Sequence, residues 1–273
     1  MNYQEILNKL PELKLFNNTE YNLNISYRHQ KFDEKIPILF LHGFNGNSKS
    51  WAYQFDHFKN KRSIIAIDAP GFGQSDPADL DMLTIADLVC DLLKNINILK
   101  CDLVGHSMGG MLAQIIASQH SDLVNKVVLS CTHKGYNLAK DSPLREAYSL
   151  RLEQRKKMSD EGFGKLRIKT MLPDLHNEDI FNFLSKISEE ITEGSILSGG
   201  VAMQRLDTTE YLSKLNHDCL ILKASKDVVV SNERSYELEK SLPNAKIRKL
   251  PNVGHAPYCE DPIIFNRELE DFF

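Results

Sequence analysis

The sequence predicts an α/β protein with a mostly parallel, doubly wound sheet and a helical insertion in its second half. Short apolar runs alternate with amphipathic segments along most of the 273 residues, which indicates strands and helices in alternation. The apolar runs are continuous, as is typical of parallel strands buried on both faces. No strand-like run occurs between residues 141 and 207. We therefore expect an all-helical insertion between two consecutive strands of the sheet.

The first half of the chain begins with a short amphipathic helix marked by Ile6, Leu7 and Leu10. Trp51 and Phe55, four residues apart, predict the core-facing side of a later helix. In chain order, the remaining predicted elements are strands over 21–27 and 37–41, a helix over 50–59, a strand over 63–67, a helix over 84–95 and a strand over 101–104.

The second half contains the expected insertion. Its charged, amphipathic segments predict four helices, and we expect them to form a lid over a site at the sheet edge, although a passive helical appendage is an alternative. Residues 1–132 and 208–273 then form the core domain, and 133–207 the cap. The predicted elements are a strand over 127–130, helices over 143–158, 161–171, 177–193 and 195–206, a strand over 219–224, a helix over 233–241 and a strand over 246–250.

The most informative motif is Gly105-His106-Ser107-Met108-Gly109, which fits G-x-S-x-G between an apolar strand and a helical run. In that context Ser107 is the candidate nucleophile of a sharp strand-to-helix elbow. The glycines relieve crowding at the turn, and the helix N-terminus directs free N–H groups at the reacting centre. A tight turn without function is the alternative that the motif alone leaves open.

A serine nucleophile needs a base and an orienting acid, which in this topology follow in the order acid, then histidine. Asp227 follows the apolar run 219–224, and His255 follows the run 246–250. Both therefore fall on loops at the same sheet edge as Ser107. The rivals for the acid are Asp218, at the wrong end of its strand, and the loop 131–133, which has no nearby carboxylate.

An oxyanion hole would complete the site. Met108, directly after the candidate nucleophile, supplies one backbone N–H donor, and the loop after the strand 37–41 supplies the other, at Phe44. Gly43 allows the chain to approach closely, and His42 is expected to bond loop backbone through its ring. A mechanism built from these groups needs no metal or organic cofactor.

Together these residues resemble the α/β-hydrolase superfamily over nearly the whole chain. The matching motifs, in order, are His42-Gly43-Phe44, the segment 68–75, Gly105-His106-Ser107-Met108-Gly109-Gly110, Asp227 and Gly254-His255. The resemblance implies a serine hydrolase that cleaves a small ester or lactone, similar to 3-oxoadipate enol-lactonases and carboxylesterases. It leaves open a C–C bond hydrolase of ring-cleavage products, or a non-hydrolytic lyase, cofactor-free oxygenase or small-molecule receptor.

Two arginine assignments concern the insertion. The stretch 199–207 lies where enol-lactonases have a similar Ala/Arg/Asp-bearing segment, so the resemblance makes Arg205 a candidate for binding a substrate carboxylate. An arginine on the lid surface is the alternative. The basic segment from Arg151 to Lys157, interrupted by Glu153, is expected to be a solvated helix face.

Composition narrows the class of protein. A net charge of −4 without a basic stripe argues against nucleic-acid binding. No apolar stretch of membrane-spanning length and no secretory signal are visible. The five cysteines have no metal-like spacing, and reduced, buried thiols would fit a cytoplasmic protein. The expected partner is a small-molecule ester or lactone, and the sequence does not distinguish a monomer from a homodimer.

Overall fold

A computed structural model describes residues 2–32 and 35–273. In these residues eight strands form one sheet in the order β1-β2-β4-β3-β5-β6-β7-β8. The pairs β1–β2 and β2–β4 are antiparallel and every other neighbouring pair is parallel. The strands are β1 (Leu13–Asn18), β2 (Leu23–Gln30), β3 (Ile38–Leu41), β4 (Ile64–Ile67), β5 (Cys101–His106), β6 (Val124–Ser130), β7 (Asp218–Ala224) and β8 (Lys246–Leu250).

Helices flank this sheet. A 3₁₀ turn over Ser48–Trp51 leads into the second helix, and another over Ser121–Leu123 leads into β6. The helices outside the insertion are α1 (Tyr3–Asn8), α2 (Ala52–Phe58), α3 (Met82–Asn95), α4 (Met108–Gln119), α9 (Thr209–Ser213), α10 (Asn232–Ser241), α11 (Pro257–Glu260) and α12 (Pro262–Phe272). Within the described residues, none of the helices is both long and apolar enough to span a membrane.

Two apolar clusters fill the space on the two faces of the sheet. In β3, Leu39 and Leu41 belong to one cluster while Ile38 and Phe40 belong to the other. Successive side chains of a strand point to opposite faces, so a strand covered on both faces must be apolar at every position. This requirement explains the continuous runs in the sequence and confirms the predicted doubly wound class.

The segment between β6 and β7 is helical. Ser159, Asn177 and Thr192 cap the last three of its helices by accepting from backbone N–H groups. Where the segment leaves and rejoins the sheet, Gly135 pairs with Asp207 in an antiparallel bridge. The four helices are α5 (Glu146–Lys157), α6 (Asp160–Met171), α7 (Glu178–Ser188) and α8 (Glu193–Arg205).

The structure differs from the predicted elements most clearly at β1, α7 and α9, of which α9 (Thr209–Ser213) was not predicted. Strand β1 was not predicted, because it is an edge strand whose burial alternates irregularly and whose sequence has no apolar run. Helix α7 ends at Ser188 rather than near residue 193, because Thr192 has extended backbone and caps the following helix. The five cysteines are all buried, and none of them forms a disulfide.

Candidate active site

Ser107 occupies a strained elbow between β5 and α4. Its backbone has φ 52° and ψ −115°, a left-handed region that non-glycine residues seldom adopt. The glycines on either side are required by space: a Cβ on Gly105 would collide with the Gly109 carbonyl, and a Cβ on Gly109 with the Leu41 carbonyl. The turn therefore places the serine side chain at the carboxyl edge of the sheet.

His255 connects Ser107 to Asp227. The distance from His255 Nε2 to Ser107 Oγ is 3.0 Å, and His255 Nδ1 lies 3.0 Å from both carboxylate oxygens of Asp227. Because an ionised carboxylate only accepts, Nδ1–H must donate to Asp227. That tautomer leaves Nε2 free to accept the Ser107 hydroxyl proton. The structure thus brings together the three residues that the sequence predicted, in hydrogen-bonding contact.

The Asp227 carboxylate is held by its own loop. The N–H groups of Val229 and Val230 donate to its Oδ1 at 2.8 and 3.1 Å. Burial opposes ionisation, but the neighbouring His255 and these two donors outweigh it, so the pKa of Asp227 is lowered from its ordinary value. Asp227 is therefore charged at neutral pH and fixes the orientation of the imidazole.

Glu260 is a residue that the sequence reasoning missed. Its two carboxylate oxygens accept from Gly254 N–H and Ala256 N–H, each at 2.9 Å, and these are the N–H groups of the two residues on either side of His255. Burial raises the pKa of Glu260 despite the two backbone donors. The only sequence signal was a glutamate five residues after the histidine, in a short helix that begins at Pro257. The contacts make Glu260 a brace for the loop that carries His255.

Met108 and Phe44, the two residues expected to supply oxyanion donors, follow β5 and β3 respectively. Met108 is the first residue of α4, where a backbone N–H has no acceptor within the helix, and Phe44 is buried in the loop after β3. His42 bonds loop backbone as expected: Nδ1–H donates to Gly43 O at 2.8 Å, and Nε2 accepts from Ala69 N–H at 3.0 Å. These contacts tie the start of the Phe44 loop to Ala69, in the segment after β4.

Cys131 lies close to the same group of side chains. Possible ligand atoms of Cys131, Asp227 and His255 all fall within 4.8 Å of one another. However, burial raises the pKa of the Cys131 thiol well above its ordinary value, and a metal binds the thiolate. Asp227 and His255 are also already bonded to each other. The donor set is therefore a poor one for a metal ion.

A cavity of about 350 Å³ lies beside Ser107 and His255. Loops at the sheet edge form one side, and the insertion forms the other through residues of all four of its helices. Aromatic rings line it, and so do three arginines. The lining side chains from the insertion and its entry include Tyr136, Arg145, Tyr148, Arg151, Arg167, Ile168, Met171, Leu184 and Met203. The site is thus a partly open space of small-molecule size with positive charge in its wall.

Arg205, the predicted substrate-binding residue, does not reach this cavity. It is exposed on α8, where its Nη2 donates to the Lys140 carbonyl at 2.9 Å. The expectation of a solvated face from Arg151 to Lys157 is also wrong at Arg151 and at Arg155, whose Nε donates to the Ile191 carbonyl at 2.7 Å. Arg151 is half-buried, and its guanidinium lies 4.7 Å from the centre of the Phe44 ring. The missed signal is its spacing of three from Tyr148, which puts both on one helix face.

Comparison with known proteins agrees with the class that the fold and site define, an α/β hydrolase. The model of the alpha/beta hydrolase fold family matches residues 36–262, and the chain belongs to this family. The uncharacterized hydrolase YugF of Bacillus subtilis strain 168 is 27% identical over 269 residues, covering 92% of this chain and 94% of the relative.

Two solved structures have the same fold. A thermophilic esterase from Thermogutta terrifontis, in a malate-bound structure, superposes with a TM-score of 0.81 and 20% identity, over 95% of this chain and 97% of that one. The enol-lactonase from Burkholderia xenovorans LB400 gives a TM-score of 0.82 and 15% identity, over 95% and 99% of the two chains. At these identities the likeness concerns the fold alone.

Proposed function

We propose that this α/β hydrolase is a serine hydrolase that cleaves a small carboxylic ester or lactone through an acyl-enzyme. The observation that carries the proposal is the unbroken hydrogen-bonded chain from Ser107 through His255 to Asp227 at the wall of a cavity of about 350 Å³. A serine with its base and an orienting acid is the arrangement that acyl transfer requires.

The steps follow from the positions of the atoms. His255 Nε2 accepts the Ser107 hydroxyl proton as Oγ attacks the substrate carbonyl carbon, and the resulting oxyanion accepts from the N–H groups of Met108 and Phe44. The imidazolium, stabilised by Asp227, then protonates the departing alkoxide. Water enters, gives a proton to His255 and attacks the acyl carbon, which releases the acid and restores Ser107. Every proton and bond in these steps is accounted for by the protein's own groups, the substrate and water.

The insertion between β6 and β7 has the role of a cap in this proposal. It supplies much of the cavity wall, so it excludes water and shapes the space for the acyl or alcohol group. Its helices contribute none of the groups that make or break the bond. We also retain the prediction of a cytoplasmic location, on the basis of five buried, unpaired thiols.

Labelling and turnover together test the proposal. Wild-type protein should react with a fluorophosphonate and hydrolyse short p-nitrophenyl esters, and Ser107→Ala should lose the label and on the order of 10⁴- to 10⁶-fold in kcat. Ser188→Ala is the matched control, since Ser188 lines the same cavity but donates to Asn45 O. It should keep both signals.

Two results would contradict the proposal. Labelling that persists in Ser107→Ala would remove Ser107 as the nucleophile. Labelling of Ser107 without turnover of any ester or lactone in a broad panel would exclude ester hydrolysis, and C–C bond substrates would then be the next class to assay.

A further inference from the structure

The wall of the cavity beside Ser107 contains three arginines and no acidic residue among its described lining residues. The three are Arg145, Arg151 and Arg167. Within the described part of the chain, no carboxylate lies within ion-pair distance of these three guanidinium groups; their neighbour Arg155, by contrast, pairs with Asp160. Buried or half-buried cations are normally paired with an anion. The lack of a carboxylate partner for these three arginines is therefore unusual.

Arg151 and Arg167 are the least satisfied of the three. Arg167 is 7% exposed, and a long contact of 3.4 Å joins its Nη1 to Gln154 Oε1. The Nε atoms of both arginines are buried without a hydrogen-bond partner among the described residues. Burial and the neighbouring Arg167 charge lower the pKa of Arg151 to about 9. Two arginines without a carboxylate partner therefore line the same cavity.

Stacking on aromatic rings does not account for this arrangement. Arg145 lies 3.5 Å from the centre of the Tyr136 ring, which gives it a cation–π partner. Arg151 has a looser contact with Phe44 at 4.7 Å. A ring satisfies the face of a guanidinium but leaves its N–H groups, which lie in the plane, free to donate. Those free donors in the cavity need an acceptor.

We propose that Arg151 and Arg167 bind a carboxylate of the substrate, so that the substrate is an ester or lactone that also carries a free acid group. This inference rests on the proposed function for the reacting bond, and it adds the substrate class. A carboxylate accepts from a guanidinium through two parallel hydrogen bonds, and its negative charge would compensate the unpaired pair. Arg205, outside the cavity, has no part in it.

A pair of isosteric esters tests the substrate class. p-Nitrophenyl hydrogen glutarate carries a terminal carboxylate, and p-nitrophenyl 5-oxohexanoate replaces it with a neutral methyl ketone of similar size. We expect the wild-type kcat/KM to favour the anionic ester by at least about 10-fold. Arg151→Gln and Arg167→Gln should each lower kcat/KM for the anionic ester by about 10- to 100-fold, mainly through KM.

Controls separate charge recognition from structural support. The neutral ester should change by less than about 3-fold in both variants, and Arg205→Gln, an exposed arginine of the same insertion, should change neither ester. Equal losses on both esters would mean that the arginines only support the cavity wall and would overturn the proposal. If a glutamine variant does not fold, Arg151→Lys and Arg167→Lys replace it, since they keep the charge but lose the planar guanidinium. Their kcat/KM for the anionic ester should lie between the wild-type value and that expected for the glutamine variants.

A binding measurement keeps this inference distinct from the proposed function. Calorimetry of monomethyl glutarate with Ser107→Ala protein should show binding that Arg151→Gln abolishes, even if no ester is turned over. Inorganic phosphate is the competing anion. Stronger binding of phosphate than of the glutarate monoester would assign the arginines to a different anion and refute the carboxylate. Absence of binding by both would refute an anion site altogether.

Discussion

His133, at the entry to the insertion, should make the stability of the fold depend on pH. Its ring is 5% exposed, and its Nδ1 accepts from Gly135 N–H at 3.1 Å. Burial, with the nearby Arg234 charge, lowers the pKa of His133 from 6.5 to about 4. The unfolded chain therefore binds a proton as the pH falls through 6.5, whereas the folded protein resists until about pH 4. The stabilisation is complete above pH 6.5 and is lost below it.

The expected loss follows from these two pKa values. The full difference corresponds to about 3 kcal/mol of unfolding free energy, of which about 2 kcal/mol disappears between pH 7 and pH 5. Urea unfolding at these two pH values should show that wild-type protein loses about 2 kcal/mol more unfolding free energy than the His133→Asn variant does. The asparagine side-chain oxygen can still accept from Gly135 N–H. His29, which shifts in the same direction, contributes equally to both proteins and cancels.

The control for this measurement is His176→Asn, which changes an exposed histidine of the same insertion. It should lose as much stability between the two pH values as wild-type protein does. Equal losses in all three proteins would refute the reasoning, because His133 would then titrate alike in the folded and unfolded states.

Three further predictions concern the elbow and its supports. Asp227→Asn should keep the fold and lose about 10³- to 10⁴-fold in kcat on a neutral ester, since an amide favours the wrong His255 tautomer; retention of activity would contradict it. Glu260→Gln loses one of two acceptors, so kcat should fall by about 10-fold with KM unchanged, and a change confined to KM would exclude a brace for His255. Gly109→Ala should cost about 1–3 kcal/mol in thermal unfolding, whereas Gly194→Ala, where a Cβ meets nothing closer than 3.5 Å, should not.

The parts of the fold that the sequence could predict are those with local signals. Strands β3 to β7 are largely buried on both faces, so each contains a short apolar run that can be recognised without knowledge of its partner strands. Ser107 was found from the spacing of its glycines, Asp227 from its place after the apolar run 219–224, and His255 from its place after the predicted strand 246–250 and from the chain order of the three residues. Strand β1 lacked this signal because it lies at the sheet edge, with Leu15 62% exposed.

The insertion could be predicted as helical but not in its contacts. Three of its four helices begin at side-chain caps, which are local features. The faces that the helices present are decided instead by packing against the loops at the sheet edge. Arg151 and Arg167 therefore have the sequence signature of solvent-exposed helix positions, although the structure buries them wholly or in part. Arg205 has the same signature and is in fact exposed. Charge in a helical sequence cannot by itself distinguish these cases.

The three catalytic candidates and the two cavity arginines should respond differently to substitution. Ser107, Asp227 and His255 lie on loops that follow strands of one sheet, so their geometry is fixed by the core and by braces such as Glu260. Arg151 and Arg167 lie on helices of the insertion, which joins the core between β6 and β7. Substituting these arginines should therefore change which substrate is bound, while the rate at which a fluorophosphonate labels Ser107 stays the same.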